Sequence, residues 1–148
     1  SLAFNLRVYG LVRSGAGAIL VSEERRAGFE FCKFPGGGVQ AGEGILDALH
    51  REFKEELDAE IIKAEFFYFN EFYQHSRFNP NEQVICFYYL ATLRDPERLT
   101  LMVNNLPKGG EVGDYERFRW ISLDQINENI LTFPIDRKAL SKFKKMLI

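Results

Sequence analysis

The stretch Gly36–Ala59, GGGVQAGEGILDALHREFKEELDA, decides the fold. Pro35 closes a short strand-like run, and Gly36-Gly37-Gly38 permit backbone angles that bulkier residues refuse. An amphipathic helix is predicted from near Gly44 to near Leu57. On a wheel at about 100° per residue with Phe53 at zero, Leu49, Leu46, Leu57 and Ile45 form the apolar face. Glu56 falls at about −60°, inside that arc; Glu52 lies on its edge at about −100° and Glu55 further round at about −160°. A half-buried carboxylate with another one turn before it is unfavourable unless something positive joins it. A divalent cation meets that need, and an oxygen-only donor set suits Mg²⁺ or Mn²⁺. The competing interpretation is an acidic, solvated helix face paired with Arg51 and Lys54. His50 and Asp47 point away from the cluster.

The stretch resembles the Nudix box, G-x5-E-x7-R-E-U-x-E-E-x-G-U, with U a bulky apolar residue. Gly37 takes the first glycine, Glu43 follows after five residues, and Arg51, Glu52, Phe53, Lys54, Glu55 and Glu56 complete the core. Two positions depart: Asp58 replaces the closing glycine, and Ala59 is a small final apolar residue. Asp tolerates a left-handed turn better than most residues. The resemblance implies an α+β fold, an α/β/α sandwich with a mixed sheet between helices. It also implies hydrolysis of the diphosphate linkage of a nucleoside diphosphate derivative, with Mg²⁺ or Mn²⁺ as cofactor. Carried over by position, Gly37, Glu52, Glu55 and Glu56 would ligate the metal, Gly37 through its carbonyl. Arg51 would hold the carboxylates by pairing with Glu43, and Gly38 and Glu43 would serve the motif's structure. Glu52, Glu55 and Arg51 are the catalytic candidates within the box. Glu111 is the favoured later candidate for general base, ahead of Asp114 and Glu116, because glycines surround it. The rival is a Nudix-fold metabolite-binding regulator without catalysis; the intact acids argue against it.

Outward from the box, the 148 residues suit a single domain over 1–148 with a real core. A net charge of −2 excludes a general basic field for nucleic acid, so a small-molecule partner is expected. Cys32 and Cys86 read as free thiols, pointing to a reducing, cytoplasmic setting, and no leader or membrane-spanning run is visible. Homodimerisation is compatible with apolar surface on the first hairpin and the aromatic strands.

Residues 4–12 and 18–21 read as a hairpin, 22–28 as a polar loop, and 29–34 as a short strand. Two long strands, 60–73 and 84–93, flank a loop, the first with a bulge near Glu65. A turn at 94–98, a short strand at 99–103, a glycine-rich loop at 107–113 and a strand at 115–121 follow. Ser122 is placed as the cap of a short helix, and a last helix covers 131–148. Arg25, Arg26, Lys33, Tyr73 and Phe78 are the candidates for substrate contact: cations for phosphate, aromatics for a base or sugar.

Overall fold

The computed structural model describes residues 1–99 and 113–147. Strands β1 (Ala3–Leu11), β2 (Ala18–Arg26), β3 (Phe29–Lys33) and β4 (Gly36–Gly38) lead into helix α1 (Ile45–Leu57). Strands β5 (Ile61–Phe69), β6 (Glu82–Leu93) and β7 (Tyr115–Ser122) follow, then a 3₁₀ turn (Glu128–Ile130) and helix α2 (Pro134–Met146). One sheet has the order β4-β1-β6-β5, with β1 and β6 parallel and the other pairs antiparallel. The second, β3-β2-β7, is antiparallel.

Period-two alternation explains why helices lie on both faces. In β1, Val8 points into the core built around α1, with Leu49, Phe53 and Leu57, while Tyr9 and Leu11 point into the core around α2, with Leu140 and Phe143. In β2, Leu20 faces the first core and Ile19 and Val21 the second. This is the mixed-sheet α/β/α arrangement expected. Gly10 sits where a Cβ would lie 2.8 Å from the Phe53 ring, so α1 packs directly on β1.

The structure corrects several local expectations. β1 and β2 lie in different sheets and stay joined only near Arg13 and Ile19, so the hairpin splays after its turn. The run from Ser22, read as a loop, continues β2 to Arg26; its polar residues Ser22 and Glu24 are buried because partners meet them there. The turn into β3 is Ala27-Gly28, both left-handed at φ 51° and 80°. Residues 96–99 are helical, so the strand expected from Leu99 does not begin there; residues 100–103 and most of the glycine-rich loop lie outside the described residues. After Ser122 the chain forms turns rather than a helix, and Asn127 caps the 3₁₀ turn. Pro134 at the first turn sets the true start of α2. Leu46, assigned to the apolar face, is 41% exposed; Ala48 takes its place against the sheet. β5 shifts register on either side of Glu65. Among the described residues no helix is long and apolar enough to cross a membrane.

Candidate active site

β4 hangs on the edge of the first sheet, with Arg7, Val8 and Tyr9 opposite Gly38, Gly37 and Gly36. The first two glycines are required for different reasons. Gly36 has φ 146°, and a Cβ there would lie 2.0 Å from the Val8 carbonyl oxygen. At Gly37 a Cβ would lie 2.5 Å from Glu52 Oε1 and 2.6 Å from its Cδ. The backbone of β4 therefore approaches the α1 carboxylate as closely as a side-chain-free residue allows.

Arg51 ties the turn to the helix. Its Nε and Nη2 donate to Glu43 Oε2 and Oε1 at 2.9 and 2.7 Å, a bidentate pair, and Nη2 also donates to the Gly38 carbonyl at 2.9 Å. Nη1 donates to Glu52 Oε1 at 3.1 Å and to Glu55 Oε2 at 3.3 Å. Glu43 also accepts the Gln40 N–H at 2.9 Å. The Arg51 guanidinium and that N–H hold the Glu43 carboxyl down at about 2. One guanidinium thus fixes three carboxylates and the glycine turn. Asp47 instead accepts the Gly44 N–H at 2.9 Å and so starts the helix. Asp58 ends it in the left-handed conformation, φ 49° and ψ 39°, with its N–H on the Lys54 carbonyl.

Glu56 is half-buried, as its place on the wheel requires. Burial pushes its carboxyl up to about 8; Lys33 opposes this, while Glu116 and Glu52 reinforce it. Glu116 on β7 is likewise raised, by partial burial of its carboxyl and by the charge of Glu24, against Lys33. Lys33 is itself buried, its Nζ 3.0 Å from Glu24 Oε2 and donating to the Phe34 and Gly36 carbonyls. Among the described residues no three such side chains already converge as a metal cage. The donor set fits a hard divalent cation nonetheless. Glu52, Glu55 and Glu56 supply oxygens only, Arg51 engages one oxygen each of Glu52 and Glu55, and the burial that raises the Glu56 carboxyl is a cost that a bound cation would offset.

Beside this cluster opens a cavity of about 270 Å³. Arg7, Tyr9 and Lys33 form the wall nearest the glycine turn, and a Cβ at Gly38 would lie 3.6 Å from an Arg7 guanidinium nitrogen. Phe31, Phe78 and Phe133 form an aromatic wall, their ring centres 5.2–6.0 Å apart. Arg26 lies over the Phe78 ring at 5.3 Å, and His75 and Arg77 complete the rim. At the floor, Tyr88 donates to Asp136 Oδ1 at 2.5 Å; burial pushes the Asp136 carboxyl up to about 6.

A family model described as the NUDIX domain matches residues 3–143. The chain belongs to the Nudix family. It is a Nudix-type pyrophosphohydrolase. Over 128 residues it is 29% identical to the RNA pyrophosphohydrolase of Francisella tularensis subsp. mediasiatica, covering 78% of each chain. A NUDIX hydrolase from Nitrosomonas europaea superposes with a TM-score of 0.70 at 19% identity, over 97% of this chain and 90% of the other. The MutT NUDIX hydrolase from Burkholderia pseudomallei gives a TM-score of 0.64 at 22% identity, over 95% and 98%. These structures establish the fold. Nudix hydrolases generally use divalent metals.

Within this Nudix domain, Gly37, Gly38, Glu43, Arg51, Glu52, Glu55 and Glu56 gather at the junction of β4 and α1. Of the substrate candidates, Arg26, Lys33 and Phe78 line the cavity. Arg25 pairs instead with Glu30 at 3.7 Å, and Tyr73, 60% exposed, is not in the lining. Arg25 reaches from β2 to Glu30 on β3, and Tyr73 lies past the end of β5, so neither lines the cavity. Glu111 lies outside the described residues. Sequence reasoning missed Arg7, Tyr9, Phe31, Phe133 and Asp136 in the cavity, and Glu24 beside it. For Arg7 and Tyr9 a signal existed: with Asn5 they form the polar alternate face of an otherwise apolar strand.

Proposed function

We propose that this chain hydrolyses the diphosphate linkage of a nucleoside diphosphate derivative by water attack at phosphorus, in a divalent-metal-dependent reaction. The observation that carries the proposal is the apposition of the Gly37 backbone and the Glu52 carboxylate, with half-buried Glu56 in the field of Lys33, which lines an aromatic, cationic cavity. Glu52, Glu55, Glu56 and the Gly37 carbonyl would hold Mg²⁺ or Mn²⁺. When bound, such a cation polarises a phosphoryl oxygen and acidifies the attacking water.

The chain's own groups supply the rest. Arg51 orients Glu52 and Glu55 by donating to one oxygen of each. Glu52 or Glu55 accepts the proton of the attacking water; Glu111 is the later candidate for the same role. Lys33 and Arg7 meet phosphate charge between the carboxylates and the cavity. Phe31, Phe78 and Phe133 offer flat faces to a base, and Arg26 sits above Phe78 to meet a phosphate or sugar.

The test is a panel of nucleotides, nucleotide sugars and dinucleotides with Mg²⁺ or Mn²⁺, comparing the native chain with Glu56→Gln. Release of a nucleoside monophosphate by the native chain alone supports the proposal. No turnover across the panel with either metal, or equal turnover by Glu56→Gln, contradicts it. The similarity to RNA pyrophosphohydrolases favours one further substrate, the 5′-polyphosphate end of RNA, which presents the same linkage on a nucleoside. A 5′-triphosphorylated oligonucleotide in the panel separates the two: selective turnover of it over free nucleotides assigns the RNA end.

A further inference from the structure

Among the described residues β5 is the outer strand of the four-stranded sheet: one of its edges carries β6, and no described strand pairs with the other. Among the described residues, no backbone hydrogen bond beyond the β5–β6 ladder involves residues 61–69. Such an edge is a template for another strand. Its side chains are not those of a strand meant to stay solvated: Ile62 is 52% exposed and Phe66 55%. Between them Lys63 and Glu65 pair at 2.8 Å on the opposite face, both largely solvent-exposed.

The order of these residues is self-complementary. Set antiparallel to a second copy with Ala64 opposite the partner's Ala64, Lys63 meets Glu65 twice, within the regular run 63–66. Moving the two-fold by one residue sets Lys63 against Lys63 or Glu65 against Glu65, placing like charges directly opposite. Among these three, only the Ala64-centred register sets opposite charges against each other at both contacts. Phe66 also continues an aromatic strip inward, 5.7 Å from Tyr89 and 6.2 Å from Phe69, which stacks on Phe87 at 5.8 Å. Two such strips brought together add apolar area that a short strand pair alone lacks. The register shifts at Ile61/Lys63 and Phe66/Tyr68 bound a regular run, limiting the pairing to its centre.

We infer that two copies of this chain associate through their β5 edges, Ala64 to Ala64 across a two-fold axis, joining their four-stranded sheets into one. The contact is isologous and closes on itself, so it yields a dimer and not a filament. β4, with Gly37, lies at the far edge of the sheet, three strand spacings or roughly 14 Å away. Both active sites therefore remain open, and the inference does not rest on the catalytic proposal.

Sedimentation velocity over roughly 1–100 µM, a range suited to an interface of modest area, tests it. The native chain is expected to move from the 17.1 kDa monomer to twice that mass. Lys63→Glu sets Glu against Glu and Glu65→Lys sets Lys against Lys, so each variant alone stays monomeric. An equimolar mixture of the two restores opposite charges at both contacts and regains the dimer, which misfolded variants could not do. A monomeric native chain throughout the range overturns the inference. So does a dimer that both single variants retain, or a mixture that fails to associate.

Discussion

Replacing Gly37 by alanine separates site geometry from fold stability. The new Cβ would lie 2.5 Å from Glu52 Oε1, whereas ordinary contact begins near 3.4 Å. The carboxylate must retreat by about 0.9 Å, and it is the far end of a flexible side chain, so an off-rotamer cost of about 1 kcal/mol covers the fold's loss. Its hydrogen bond from Arg51, 3.1 Å long, is stretched or re-aimed by the same movement. A displacement of about 1 Å in a group that positions reactants costs on the order of 10²-fold in rate. Gly37→Ala is therefore expected to lower kcat/KM about a hundredfold while urea unfolding shifts by no more than about 1 kcal/mol. Gly36→Ala is the contrast: its Cβ would meet the Val8 carbonyl at 2.0 Å from a φ of 146°, so it should unfold the β1–β4 junction instead. Full activity in Gly37→Ala, or a loss that merely follows unfolding, would refute the reasoning.

Glu56, with a folded carboxyl near 8 against an ordinary 4.5, binds more protons in the folded state than in the unfolded state between those values. The metal-free protein should thus lose stability as pH rises from about 4.5 to about 8, and Glu56→Gln should flatten that slope in thermal melts. Glu24→Ala leaves Lys33 buried without its carboxylate and should cost about 3–5 kcal/mol by denaturant titration. Tyr88→Phe removes the donor to buried Asp136 and should cost about 1–3 kcal/mol, more at pH 7.5 than at pH 5, because the bond favours the charged carboxylate. Phe78→Ala opens the aromatic wall and should raise KM with little change in kcat; an unchanged KM would place the base elsewhere.

The helix and its acids were legible because one element carries them. Spacing alone puts Glu56 in the apolar arc, and Arg51 and Glu43 meet within 2.9 Å across eight residues of chain. Leu46 was misplaced by the same wheel: the sheet meets Ala48, a small residue that hydrophobicity alone ranks below leucine. β2 was cut short because Glu24 looks solvated until Lys33 arrives from β3, a pairing no local pattern announces. The cavity was least legible. It draws on alternate residues of β1, the loop at 74–79 and the start of α2, which only the parallel pairing of β1 and β6 brings together. Asp136 reads as an ordinary first-turn helix acid until Tyr88 is found beneath it.

If the α1 carboxylates and the glycine turn hold a divalent cation, the Glu56 side chain must contribute to binding it. Electron paramagnetic resonance of Mn²⁺ titrated into the native chain and into Glu56→Gln tests it most directly. The native chain should deplete the free Mn²⁺ signal at about one site per chain, and Glu56→Gln should not at the same concentrations. Equal depletion by both proteins, or none by the native chain, would contradict it.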